Sequence, residues 1–121
     1  MTDKFPDIEI YLLKVEPSQI AEWLSHQFGE LKEIKHTSKS TTWQTSGMDI
    51  QFTQDVAKKF SSLWFKTNNT PWNNDLECAR EAHKSIETEV RCSVASWQED
   101  DDQPGWIKLI RGEEKAFDWN I

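Results

Sequence analysis

The sequence predicts a single α+β domain, an antiparallel sheet of about five to six strands with two helices packed on one face, in the order β-α-β-β-β-α-β-β. Three observations predict it. Ile8 to Val15 and Thr88 to Trp97 alternate apolar and polar side chains with the period of two that a half-buried strand requires. Two other stretches, opening at Pro17 and Pro71, repeat their apolar residues at helical spacing. The 121 residues suit one domain and are too few for two ordinary ones.

The first strand places Ile8, Ile10 and Leu12 on one side and Glu9, Tyr11 and Leu13 on the other. Pro17 then fits the first turn of a helix, where a missing N–H costs nothing. Ile20, Trp23, Leu24 and Phe28 form its apolar stripe, and Gly29 stands where a C-cap belongs. From Leu31 to Thr67 the signals favour strands. Leu31 to His36 reads as a polar edge strand, and Ser38 to Thr45 carries β-tolerant Thr around Trp43. Gly47 supplies a turn before the alternation of Met48, Ile50 and Phe52, and a short helical break over Asp55 to Lys59 precedes Phe60 to Lys66. Asn68-Asn69-Thr70-Pro71 combines a turn with a helix start, Thr70 capping and Pro71 opening a helix whose inner face is Leu76, Ala79, Ala82, His83 and Ile86. The acidic loop 98–105 separates Thr88 to Trp97 from a returning strand, Trp106 to Arg111, and the chain closes on a tail bearing Phe117 and Trp119.

Charge limits the function classes. The 21 acidic and 14 basic residues leave a net charge of −7, which excludes a basic nucleic-acid binder because phosphate neutralisation needs clustered Lys and Arg. The acidity is uneven: residues 73–121 hold 12 acids and 6 bases, residues 1–72 hold 9 and 8. Lysines of the middle segment, Lys32, Lys35 and Lys39, fall at the edge strand, where they discourage sheet-to-sheet pairing. No apolar run reaches the ~18–20 residues needed to span a bilayer, and MTDKFPDIEI lacks the pattern of a secretory signal. With only Cys78 and Cys92, expected as reduced thiols, the chain is expected to be cytoplasmic.

The chemistry-bearing motifs are sparse. His26, His36 and His83 make no metal spacing, Cys78 and Cys92 make no CxxC, and the 4 glycines build no phosphate loop. No cofactor, metal or catalytic residue is nominated, and an enzyme of unrecognised type stands as the third functional class. The run Glu99-Asp100-Asp101-Asp102 lacks the mid-loop Gly and closing Glu of a calcium loop. It is flanked by Trp97 and Trp106, expected to form a cross-strand pair. Aromatic anchors beside steering charge are the ingredients of a protein interface. Trp97, Glu99, Asp100, Asp101, Asp102 and Trp106 are therefore the expected contact of a small acidic binding module. Its most concrete form is an immunity protein or inhibitor that engages a basic partner. The opposing view is that the acids only solubilise the loop, and that Phe117 and Trp119 of the tail cover the tryptophans. A second class is a small-molecule or anion site in a Trp-lined cleft formed by Trp72, Asp75, Arg80 and Arg91, with a helix N-terminus holding the anion. Seven tryptophans in a chain with 36% hydrophobic residues also mean that large rings must build much of the core, with Trp23 foremost among them.

Overall fold

The computed structural model describes residues 4–93 and 105–119. They form β1 (Ile8–Leu13), α1 (Pro17–Phe28), β2 (Lys32–His36), β3 (Ser40–Thr45), β4 (Met48–Ala57), β5 (Phe60–Phe65), α2 (Asp75–Ile86), β6 (Val90–Ser93), β7 (Trp106–Ile110) and β8 (Glu113–Phe117). All eight strands join one antiparallel sheet in the order β2-β3-β4-β5-β1-β6-β7-β8.

The α+β class matches the sequence, but the expected five to six strands are too few. The difference lies in turn chemistry. Three two-residue hairpins hold both turn residues at positive φ: Ser46-Gly47 (52° and 75°), Lys58-Lys59 (43° and 71°) and Arg111-Gly112 (52° and 80°). This geometry matches the right-handed twist of the flanking strands. Lys58-Lys59 closes β4 onto β5 where a helical break was expected. A register shift between Thr53 and Ala57, with Asp55 at φ 52°, carries β4 through that segment. Arg111-Gly112 turns the supposed tail back as β8.

Both helices bury their stripes in one cluster on one face of the sheet. Ile20, Trp23 and Leu24 of α1 and Cys78, Ala79 and Ala82 of α2 meet Ile8, Ile10, Leu12, Ile50, Phe52, Leu63, Phe65, Val90 and Cys92 there. The small side chains of α2 bring its axis close to β1 and β6. A capping box between Glu16 and Gln19 starts α1. The α2 helix begins later than Pro71: Asn74 is the N-cap, accepting the Glu77 N–H at 3.0 Å. Residues 68–73 form instead a polar loop in which Asn68 Nδ2 donates to the carbonyls of Phe5 and Trp72 at 2.9 Å. That loop drives Trp72 into the core, where it stacks on Trp23 at 5.7 Å and 7°.

Candidate functional site

The pleat that buries Ile8, Ile10 and Leu12 under the helices sends Glu9, Tyr11 and Leu13 to the other face. Neighbouring strands add Phe60 and Trp64 from β5, Arg91 from β6, Trp106 from β7 and Phe117 from β8 to this helix-free face. After β8 the chain crosses back and sets Trp119 among them. Its ring lies 5.0 Å from Trp106, 5.1 Å from Phe60 and 5.4 Å from Tyr11. The Arg91 guanidinium sits 4.2 Å from the Phe60 ring, 4.5 Å from Trp119 and 4.7 Å from Phe117. Its Nε donates to Glu89 at 2.7 Å. A cation held by three ring faces and a carboxylate is a strong organiser of such a patch. Phe60 is buried at its base, whereas Tyr11, Trp64, Trp106, Phe117 and Trp119 stay half-buried.

One end of this face is acidic. Trp64 Nε1 donates to Asp7 at 2.8 Å, the Tyr11 hydroxyl to Glu9 at 3.2 Å, and the Glu9 backbone N–H to Asp75 Oδ1 at 3.3 Å. Among the described residues, no Lys or Arg forms an ion pair with Asp7, Glu9 or Asp75. Partial burial, with Asp7 and Glu9 close by, pushes the Asp75 carboxyl up to about 7 despite its hydrogen bond from the backbone. Burial raises Glu9 also, and burial together with the Glu9 charge pushes the Tyr11 hydroxyl up to about 12. A described cation borders this corner, Lys66 Nζ lying 5.1 Å from the centre of the Trp64 ring, but it forms no ion pair with the three carboxylates.

The residues expected to bind are distributed as follows. Trp97, Glu99, Asp100, Asp101 and Asp102 lie outside the described residues. Trp106 stands on the helix-free face, and its cross-strand neighbours are Ser93 and Phe117. The expected pair of Trp97 with Trp106 rests on a residue outside the described ones; the described register sets Ser93 opposite Trp106. Trp119 packs against Trp106, the covering by the tail that the sequence also allowed.

The four residues of the alternative anion site are not gathered into one cleft. Trp72 is in the helix-side core. Asp75 opens α2 and bonds β1. Arg80 is exposed and bidentate to Glu114 at 2.7 and 3.0 Å. Arg91 lies on the opposite face among the rings. Cys78 and Cys92 are free and buried, and burial pushes both thiols up, Cys92 to about 12. No group of three or more potential metal ligands occurs among the described residues, and none of their helices is long and apolar enough to cross a membrane. Comparisons with family models, with curated proteins and with solved structures find no match.

Sequence reasoning missed Tyr11, Trp64, Asp7 and Glu9 as members of a site. Strand alternation could have found the first two, since every second residue of β1 and β5 faces away from the helices. The closeness of Asp75 to Asp7 and Glu9 depends on how α2 docks against β1, which no local pattern encodes.

Proposed function

We propose that this chain is a protein-binding module whose helix-free face engages a basic protein, its most concrete form being an immunity protein or inhibitor of a cationic toxin or nuclease. The observation that carries the reading is the corner where Asp7, Glu9 and Asp75 lie without a basic ion-pair partner among the described residues, beside half-buried Trp64 and Tyr11. Lys66 Nζ already lies over the Trp64 ring at 5.1 Å and forms no ion pair with these acids. A lysine or arginine presented by a partner would therefore add the carboxylate contacts, which are strongest when water is excluded. Trp106, Phe117 and Trp119 extend the same face with the residue types that anchor protein interfaces. The acids 99–102 precede Trp106 by a few residues and add long-range attraction toward a positive surface.

The test is kinetic, on a partner captured from the source cell and purified as a stoichiometric complex. Converting Glu99 to Gln and Asp100, Asp101 and Asp102 to Asn should slow association and flatten its salt dependence. Trp64→Ala should act mainly on dissociation, speeding it about tenfold or more. Wild-type rates for both variants at low and high salt, or a captured partner that is acidic, would overturn the reading.

A further inference from the structure

On the opposite side of the sheet, a cleft of about 340 Å³ runs between α1 and the C-terminal end of α2, with Glu22, Trp23, His26 and Gln27 on one wall and Ser85 and Ile86 on the other. Trp23 is 4% exposed, and its Nε1 is the one buried side-chain nitrogen or oxygen among the described residues that has no hydrogen-bond partner. A buried donor in this state has lost its water and gained nothing in return, and native interiors seldom keep one. Packing accounts for the ring but not for the nitrogen. The parallel stack on Trp72 needs only an aromatic surface, which phenylalanine also supplies without an unpaired N–H.

We propose that this cleft binds a small amide, neutral or cationic, whose carbonyl oxygen accepts from Trp23 Nε1–H while its apolar portion rests on Ile86 and the rim of the Trp23 ring. The lining sets the chemical class. It contains the Glu22 carboxylate and no Lys or Arg, so a carboxylate ligand would be repelled. His26, Gln27 and Ser85 offer both donors and acceptors, which suits the two polar ends of an amide. The volume lies at the small end of ligand cavities, which span roughly 300–1,000 Å³, and this restricts the ligand to a short side chain. Nε1 is out of reach of water in the free protein, so engagement requires the indole to shift against its stack on Trp72, and the N–H resonance reports that shift directly. The site is separate from the partner surface proposed above and stands or falls independently of it.

The experiment follows the tryptophan indole N–H signals by two-dimensional NMR during titration with N-acetylleucinamide, and in parallel with N-acetylleucine, its anionic counterpart. Trp23→Phe assigns the signal, and triple-resonance assignment on the wild type replaces it where that variant does not fold. The expected result is a saturable downfield movement of the Trp23 signal at millimolar amide, with shifts at His26, Ser85 and Ile86 and at least fivefold weaker binding of the acid. Ser85→Phe, which fills the cleft from an exposed position on α2, should abolish the shift while the other indole signals keep their places. An unmoved Trp23 signal up to the solubility limit, shifts confined to other residues, equal binding of the acid, or full binding by the Ser85→Phe protein would each overturn the proposal.

Discussion

On the helix-covered face Trp23 and Trp72 stack face to face at 5.7 Å in the buried cluster, with Phe28 and Phe65 against Trp72 at 5.9 Å. On the other face Trp106 meets Trp119 edge to face at 5.0 Å, and both rings remain partly exposed. The two clusters use the same residue types and comparable contacts, yet only the first is roofed by helices. The helix side converts aromatic area into stability, because nearly all of it leaves water. The open side withholds part of that area and couples it to an arginine and a set of acids, the arrangement the proposed recognition surface requires. Substitution should separate the two.

The largest effect is expected at Trp23. Trp23→Ala removes a ring that α1 cannot replace by collapsing, and should cost roughly 3–5 kcal/mol in urea unfolding. Trp23→Phe keeps the stack on Trp72 and deletes the unpaired donor, so it should cost far less. An alanine variant within 1 kcal/mol of wild type, on the order of a surface substitution, would break the distinction between the faces.

Trp119→Ala should cost less, about 1–3 kcal/mol, since its ring is only partly removed from water. It should leave the helix-side core intact, with an unchanged far-ultraviolet circular dichroism spectrum and an altered near-ultraviolet one, as Tyr11, Phe60 and Trp106 lose their shared neighbour. A loss as large as that at Trp23 would mean that the open face is a second core and not a surface in reserve.

The helix-side cluster was the more legible of the two. Strand alternation over Ile8, Ile10 and Leu12 and the stripe Ile20, Trp23 and Leu24 are local patterns, and each names its buried residues directly. The aromatic patch depends on β8, and β8 depends on Arg111-Gly112 adopting two positive φ angles. Lys58-Lys59 does the same without any glycine, where side-chain sterics make the left-handed region unfavourable and the gain from strand pairing overrides them. Such turns are decided by the strands they join. The meeting of Asp75 with Asp7 and Glu9 is non-local in the same sense, as it spans 66 residues between Glu9 and Asp75.

Asp75 lies on the seam where α2 meets the edge of the open face, and it offers the finest comparison. Its folded carboxyl is pushed up to about 7 from an ordinary value of 3.8, chiefly by burial and secondarily by Asp7 and Glu9 against the hydrogen bond from Glu9. A raised folded value means that the folded state holds a proton the unfolded chain has released. Stability from this group is complete below about pH 4, declines as the unfolded chain ionises, and is fully lost once the pH passes 7. Asp75→Asn removes the titration and keeps an oxygen to accept the Glu9 N–H. The variant should therefore match wild type near pH 4 and exceed it at pH 8. The gain should be on the order of 1 kcal/mol, well below the full linkage value because the carboxyl is partly solvated. Urea unfolding across that pH range measures it. A gain that is constant with pH would show that the asparagine acts through packing alone. A loss at pH 8 would show that the Asp75 negative charge favours the helix N-terminus more than the seam opposes it. In that second case the acidic corner would already be balanced within the chain, and the argument for a cationic partner at that corner would fall with it.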